Sequence, residues 1–245
     1  MPLSFLKNLH PKTLSPSLPF AFELVRSARR SISIEISKAK VVVRAPRFVA
    51  HAEIEKFVHE KSAWVQKKLQ QQEQQICSAP VYSFTQGSTM PYLGEPLTLV
   101  VHKQSAADVV RYGDKLLVIL SSRARASEQA QIRRGVCHWY QLQAMKLLLH
   151  KTDLAAAQLG VKHAGISLKA TRSKWGHCTA KGAIQYNWQI MLAPEPVVDY
   201  LVAHEVSHLL HHNHSPAFWA VVEHLCPDHK KHRAWLKAHG ASLMF

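Results

Sequence analysis

The string His204-Glu205-Val206-Ser207-His208 limits the possible folds of this chain more than any other feature of its sequence. It lies in a stretch whose apolar residues recur at helical spacing, namely Val197, Val198, Leu201, Val202, Val206, Leu209 and Leu210. Pro194 and Pro196 suit the start of a helix. We therefore predict one helix over residues 197–211, with one side packed in a core.

On such a helix, His204 and His208 lie four residues apart on the same face, where two imidazoles can bind one metal ion. Glu205 is the neighbour that can reach a metal-bound water. This pattern is typical of zinc hydrolases, which combine two ligands, a general base and an open coordination position. The chain has 17 histidines, so a chance match is the competing interpretation, and the apolar helical context favours the metal site.

A catalytic zinc normally takes three protein ligands, and His214 is the first candidate for the third. Asn213 suits the left-handed position that ends a helix, and Ser215-Pro216 suits the start of the next one. A turn between the two helices lets the His214 ring reach the metal. The spacing equals that of the metzincin motif, but His211 occupies its glycine position and no suitable Met turn follows. We therefore reject metzincin membership.

Glu223 is the second candidate, on the next predicted helix, and it would complete a His, His, Glu site. We prefer His214 because the turn residues around it explain how it reaches the metal. We expect the other nearby histidines to be solvated or to support the site from outside the ligand set; they are His211, His212, His224, His229, His232 and His239.

Several separated segments carry a family resemblance: Arg172 to Cys178, Ile184 to Trp188, Pro194, Asp199 to Glu205, and Asn213 to Trp219. In this order they resemble the YgjP-like metallopeptidase family, which is related to the SprT-like and WLM zinc proteases. The resemblance is strong over residues 166–240 and extends weakly back to about residue 26.

The resemblance implies a zinc-dependent peptidase-like fold with one zinc ion. His204, His208 and His214 match the family's ligands, and Glu205 matches its base. The chain departs from the family at His177, because the family usually has a serine before Cys178. We rank three interpretations of His177: a harmless loop substitution, an extra ligand, and a contact to substrate.

We predict an α+β fold with a zincin-like metallopeptidase core, made of a small sheet, the helix with the His-Glu-x-x-His string and the helices after it. An N-terminal β-rich region with long helices precedes this core. Residues 1–25 are expected to be an irregular extension, and residues 26–245 the YgjP-like metallopeptidase domain, with its catalytic core at 164–245.

The local pattern predicts the remaining elements. We expect a hairpin near residues 37–40, a long helix over 52–76, loop over 78–96, and short antiparallel strands over 97–101, 108–112 and 116–120. One or two helices follow over 127–159 and stop at Gly160. Residues 184–191 are our candidate for an edge strand that binds an extended peptide, with a plain core strand as the equal alternative.

Charge and cysteine usage limit the partners. The net charge of +15 favours attraction to nucleic acid or another polyanion, although no nucleic-acid-binding motif accompanies it. The four cysteines are far apart without a Cys-x-x-Cys pair, so we expect free thiols. No run is long enough for a membrane helix and the start lacks a signal-peptide pattern, so we expect a cytoplasmic protein.

The function predicted from the sequence is zinc-dependent hydrolysis of peptide bonds by a metal-activated water, with Glu205 as the general base. His177, Arg172 and Tyr186 are weak candidates for binding substrate. The main alternative is a basic nucleic-acid-associated module with a structural zinc, closed by a fourth ligand such as His177 or Glu223, or a protease acting on nucleic-acid-bound proteins. The sequence is also compatible with hydrolysis of a non-peptide amide and, less well, with a catalytically inactive scaffold.

Overall fold

A computed structural model describes residues 18–37, 40–78, 82–171 and 173–244. These residues form a mixed α+β protein, as predicted, with small sheets and six α-helices. The chain divides into two compact units, residues 1–79 and 80–245, and each has its own apolar cluster. The sequence had suggested one domain over 26–245 with a core from 164; those family boundaries stay a prediction.

The first unit contains a three-stranded sheet of β1 (Phe22–Ser27), β2 (Ser33–Ser37) and β3 (Lys40–Pro46) in the order β1-β3-β2. β2 and β3 are antiparallel and Ser37 lies opposite Lys40, which confirms the predicted hairpin. β1 runs parallel to β3 and begins at Phe22, inside the segment that we expected to be irregular. Phe22 is buried, which explains why the chain is ordered there.

The helix predicted over 52–76 is two helices, α1 (His51–Glu60) and α2 (Ser62–Ser78), which meet at Lys61. Ile54 and Val58 of α1 and Val65 of α2 are fully buried in the first unit's core. Trp64, next to Val65 on α2, is 47% exposed.

The second unit begins with a sheet of β4 (Thr89–Tyr92), β5 (Glu95–Gln104), β6 (Asp108–Tyr112) and β7 (Lys115–Ser121). β5, β6 and β7 confirm the predicted strands. The order β4-β5-β7-β6 makes β5 and β7 parallel, where we predicted antiparallel pairing, because β6 pairs on the far side of β7. β4 lies within residues 78–96, where we predicted loop; it contains Pro91 but is at the sheet edge, where proline is tolerated.

One long helix, α3 (Glu128–Gln158), packs its apolar side into the main core. The hydroxyl of Ser127 caps it by accepting a hydrogen bond from the Ala130 amide at 3.4 Å. Gly160 has a φ of 65°, which confirms the predicted helix stop. Among the described residues, the helices are all too short or too polar to cross a membrane.

The third sheet consists of β8 (Ile166–Lys169), β9 (Gly176–Cys178) and β10 (Ile184–Asn187), in the order β8-β10-β9. β10 is therefore central, and our choice of residues 184–191 as an edge strand is wrong. Ile184 and Tyr186 are buried, so β10 is a core strand, and a 3₁₀ helix follows it over Trp188–Leu192. The two edge strands are β8, which is parallel to β10, and β9, which is antiparallel to it.

Three helices complete the chain: α4 (Glu195–Ser207), α5 (Pro216–Leu225) and α6 (His229–His239). α4 ends four residues before the predicted end at 211, because turns closed by the Leu209, Leu210 and His211 amides replace the helical pattern. Ser215 caps α5 and Pro216 opens it, as predicted.

The turn between β4 and β5 fixes the start of α4. The Leu93 amide donates to the Met191 carbonyl at 2.8 Å, and the Glu195 amide donates to the Leu93 carbonyl at 3.3 Å. Gly94 has a φ of 91°, and a Cβ there would lie 3.3 Å from the Pro194 Cα. Only glycine suits this close approach, which anchors the helix that carries the His-Glu-x-x-His string.

Candidate metal centre

Three histidines converge at the end of α4. Donor atoms of His204, His208 and His214 all lie within 4.8 Å of one another. The Nε2 atoms of His204 and His214 are 3.2 Å apart. α4 supplies the first two rings, and the turn before α5 supplies the third, which is the arrangement expected from Asn213 and Ser215-Pro216.

The donor set fits a zinc ion. Tetrahedral zinc with Zn–N bonds of about 2.0 Å separates its ligand nitrogens by about 3.3 Å, close to the observed His204–His214 distance. His208 Nδ1 lies 3.0 Å from the His211 carbonyl oxygen. Since a carbonyl only accepts, Nδ1 carries the proton and donates it, which leaves the Nε2 lone pair for a metal.

The electrostatics of the site favour neutral imidazoles. Burial, with smaller contributions from the neighbouring His208, His214 and Arg233, lowers the pKa of His204 to about 3. Burial also lowers the pKa of His208, despite its hydrogen bond to the His211 carbonyl. A metal binds imidazole in the neutral form, so the site stays ready for a cation at neutral pH.

The two further ligand candidates lie elsewhere. Glu223 is exposed on α5, where its Oε1 is 3.7 Å from Lys230 Nζ. His177 is exposed on β9, and neither residue belongs to the converging group. Within the described ranges, three histidines therefore form the cluster without a fourth His, Cys, Asp or Glu donor.

Aromatic residues hold the three rings, a role that we did not predict. Phe218 is fully buried, with its ring centroid 4.6 to 5.0 Å from those of all three histidines. Trp219 stacks on His214 at 5.8 Å and on His229 at 5.7 Å. We expected His229 to be a solvated or supporting residue, and at 3% exposed it is buried. The only sequence signal was the position of Phe218 and Trp219 in the first turn after a well-capped helix start.

Glu205 lies beside this cluster and is 4% exposed. Its Oε2 is buried and has no hydrogen-bond partner among the described residues. Burial raises the pKa of Glu205 to about 8, although Lys174 acts to lower it. An unpaired carboxyl group kept from water is costly for stability and is typical of functional sites.

Gly176 on β9 provides the space for the Glu205 side chain. A Cβ added at Gly176 would lie 2.5 Å from Cδ and 2.6 Å from Cγ of Glu205, closer than real atoms approach. This close approach is a steric reason for a glycine after Trp175 in the segment from Arg172 to Cys178 that resembles the family. Any larger residue at position 176 would displace the carboxyl group.

The weak candidates for substrate binding have different positions. Tyr186 is fully buried and its hydroxyl lies 3.0 Å from Thr152 Oγ1, so it faces the core. His177 is exposed and pairs across β9 and β10 with Gln185. Arg172 lies outside the described residues. Burial raises the pKa of Cys178, which fits an ordinary thiol and not a nucleophile.

Comparison with known proteins identifies the family of this chain. The sequence matches the family described as YgjP-like, metallopeptidase domain, over residues 30–239. No curated protein matches the sequence. Among solved structures, the metallopeptidase zymogen of Pyrococcus abyssi abylysin is 21% identical over 37% of this chain and 92% of that chain, with a TM-score of 0.34. Because the family match spans most of its length, this chain belongs to the YgjP-like metallopeptidase family.

Proposed function

We propose that this protein hydrolyses peptide bonds with one zinc ion at a zincin-like site. His204, His208 and His214 would hold the metal, and Glu205 would act as the general base. The observation that carries the proposal is the convergence of three imidazoles beside a buried carboxyl group that has no hydrogen-bond partner among the described residues.

Bound zinc supplies a Lewis acid that lowers the pKa of a water molecule and polarises the scissile carbonyl. The protein's own contribution is proton transfer at Glu205, which takes the proton from the attacking water and delivers it to the leaving amine. The pKa of Glu205, raised to about 8 by burial, falls beside a bound cation. The lower pKa of Glu205 suits a general base that works near neutral pH.

The substrate would lie along β9. Among the described strands, β9 pairs only with β10, and it carries the glycine that faces Glu205. An extended peptide can add to such an edge through backbone hydrogen bonds, which brings its carbonyls past the site. His177 is exposed on this strand and is the side chain that such a peptide would pass.

Metal removal tests the proposal directly. Treatment with a chelator should abolish cleavage of an unfolded protein such as casein, and one equivalent of zinc should restore it. Because metal binds the folded site, zinc should also raise the melting temperature of the chelated protein. Cleavage that survives complete chelation, as checked by elemental analysis, would contradict a metal-dependent mechanism.

Gly176→Ala should lower kcat about 100-fold, because a misplacement of about 1 Å can cost that much in catalysis. Steady-state kinetics and zinc content measure the effect, and zinc content should stay normal since the histidines are untouched. Gly135→Ala is the matched control: its Cβ would meet Val109 Cγ2 at 2.9 Å, away from the site. Equal kcat in the two variants would mean that Gly176 does not position Glu205.

The alternative of a structural zinc required a fourth ligand, and the described residues supply none within the cluster. Contact with nucleic acid stays a prediction that rests on the net charge of +15 alone. Binding that weakens steeply with salt would be its signature.

A further inference from the structure

A cavity of about 410 Å³ lies between the start of the edge strand, α4 and the C-terminal helix α6. Its walls include two aromatic residues, Trp175 and Tyr200, and two basic residues, Arg233 and Lys237. Leu236 and Met244 add apolar surface. Neither the metal cluster nor the proton transfer at Glu205 uses this cavity.

The cavity adjoins the catalytic site through three of its walls. Trp175 directly precedes Gly176, whose Cα faces the Glu205 side chain. Tyr200 lies one turn before His204 on α4, with 6.0 Å between the ring centroids. The Arg233 guanidinium lies 4.7 Å above the Trp219 ring, and that ring is 5.8 Å from those of His204 and His214. These contacts place the cavity next to the candidate metal site.

The polar groups of the cavity can donate hydrogen bonds, and none of them has an acceptor among the described residues. Arg233 and Lys237 are exposed, and in the described part of the chain neither has a carboxylate oxygen within 4.0 Å. The Tyr200 hydroxyl likewise has no hydrogen-bond partner there. Burial raises its pKa while Arg233 opposes the rise, so the hydroxyl keeps its proton at neutral pH. The Trp175 indole N–H only donates.

Such a set of groups is complementary to an anion with several acceptor oxygens. A carboxylate can accept two hydrogen bonds from the planar guanidinium of Arg233 and one from Lys237 or Tyr200. The apolar walls suit the methylene groups of an acidic side chain or the end of a peptide. A neutral or basic side chain would leave both cations unpaired.

We propose that this cavity binds a carboxylate of the peptide substrate, from an acidic side chain near the scissile bond or from the C-terminus, and thereby selects the bond that is cleaved. This inference rests on the proposed peptidase function. It adds a substrate class, acidic or free-carboxylate peptides, and two specificity residues, Arg233 and Lys237.

Cleavage of a defined peptide library tests the selection. The zinc-loaded protein is incubated with synthetic peptides of mixed sequence, made once with free C-termini and once with amidated C-termini, and the products are identified by mass spectrometry. We expect enrichment of Asp and Glu at one position near the cleaved bond, or cleavage near the C-terminus that amidation removes. The first result assigns the cavity to a side chain and the second to the terminal carboxylate.

Variants separate the cavity from general effects of charge. For the preferred peptide, Arg233→Gln and Lys237→Gln should each raise KM about tenfold, the loss expected for one charge-assisted hydrogen bond, with a smaller effect on kcat. Arg233→Lys should recover part of the loss. Lys231→Gln is the matched control, because Lys231 is exposed on the same helix but does not line the cavity. Equal KM values in Arg233→Gln, Lys237→Gln and the control would overturn the proposal.

Binding without catalysis gives an independent measurement. The Trp175 indole N–H signal is followed by NMR in zinc-loaded Glu205→Gln protein during titration with N-acetylglutamine, N-acetylglutamate α-amide or N-acetylglutamine amide. The two probes with a carboxylate should shift the signal and the neutral amide should not, and Arg233→Gln should abolish the shift.

The two measurements distinguish the possible failures. If no peptide is cleaved but the carboxylate probes shift Trp175, the carboxylate site stands and the proposed peptidase function fails. If peptides are cleaved without any carboxylate preference and the probes cause no shift, the function stands and the cavity proposal fails. A shift with inorganic phosphate but with neither carboxylate probe also overturns it.

Discussion

Glu205→Gln is expected to lower the rate of peptide hydrolysis by about 10² to 10⁴-fold, the contribution typical of a positioned general base. Glutamine has nearly the same shape, so it still fits against Gly176, but its amide cannot accept a proton. The three histidines are unchanged, so zinc content should stay at the wild-type value. Loss of rate at constant metal content is the result that assigns the base to this residue.

The measurement compares kcat and KM for a fluorogenic peptide with the zinc content of the same samples. Glu195→Gln is the matched control, because Glu195 is an exposed acid on the same helix whose partner is Lys151 at 2.8 Å. It should retain the wild-type rate. If Glu205→Gln cleaves as fast as Glu195→Gln, the carboxyl group is not the base and the proposed mechanism is wrong.

The Glu205→Gln variant can also be tested through the pH dependence of its thermal stability in the metal-free protein. Burial raises the pKa of Glu205 to about 8 from 4.5, with Lys174 opposing, so the folded state binds this proton more tightly than the unfolded chain does. Glu205 therefore contributes a loss of stability to the folded wild type as the pH rises from about 4.5 through 8. Glu205→Gln removes this loss, so its melting temperature should exceed that of the wild type more at pH 9 than at pH 5.

The parts of the site that the sequence predicted are governed by local interactions. The apolar spacing around His204 sets one face of a helix, and its two histidines follow from that face. Ser215 and Pro216 start the next helix through capping and backbone preference, which act within a few residues. These local signals are sufficient to bring His214 near the other two rings.

The parts that the sequence did not predict depend on contacts between distant segments. Whether β9 or β10 forms the sheet edge is decided by which strand packs on the core, not by the pattern within either strand. Gly176 on β9 leaves space for Glu205 on α4, and the two residues are far apart in the sequence. Nothing in the sequence distinguishes Arg233 from other basic residues, and only the fold shows that it lies over Trp219 and lines the cavity.

His214→Ala is expected to lower zinc affinity by at least about 100-fold, because changing even a residue that only supports a ligand costs about 10 to 100-fold. Two imidazoles on α4 would remain, and the cluster offers no other protein donor among the described residues. After dialysis against a low zinc concentration, elemental analysis should find one zinc per wild-type chain and little in the variant. Peptide hydrolysis should fall with the metal content.

His212→Ala is the matched control, since His212 is an exposed histidine of the same turn that lies outside the cluster. It should keep its zinc, which separates loss of a ligand from loss of turn structure. Glu223→Ala tests the other third ligand and should also keep zinc, because Glu223 faces Lys230 on the surface. Full zinc content in His214→Ala together with its loss in Glu223→Ala would replace the three-histidine site by a His, His, Glu site.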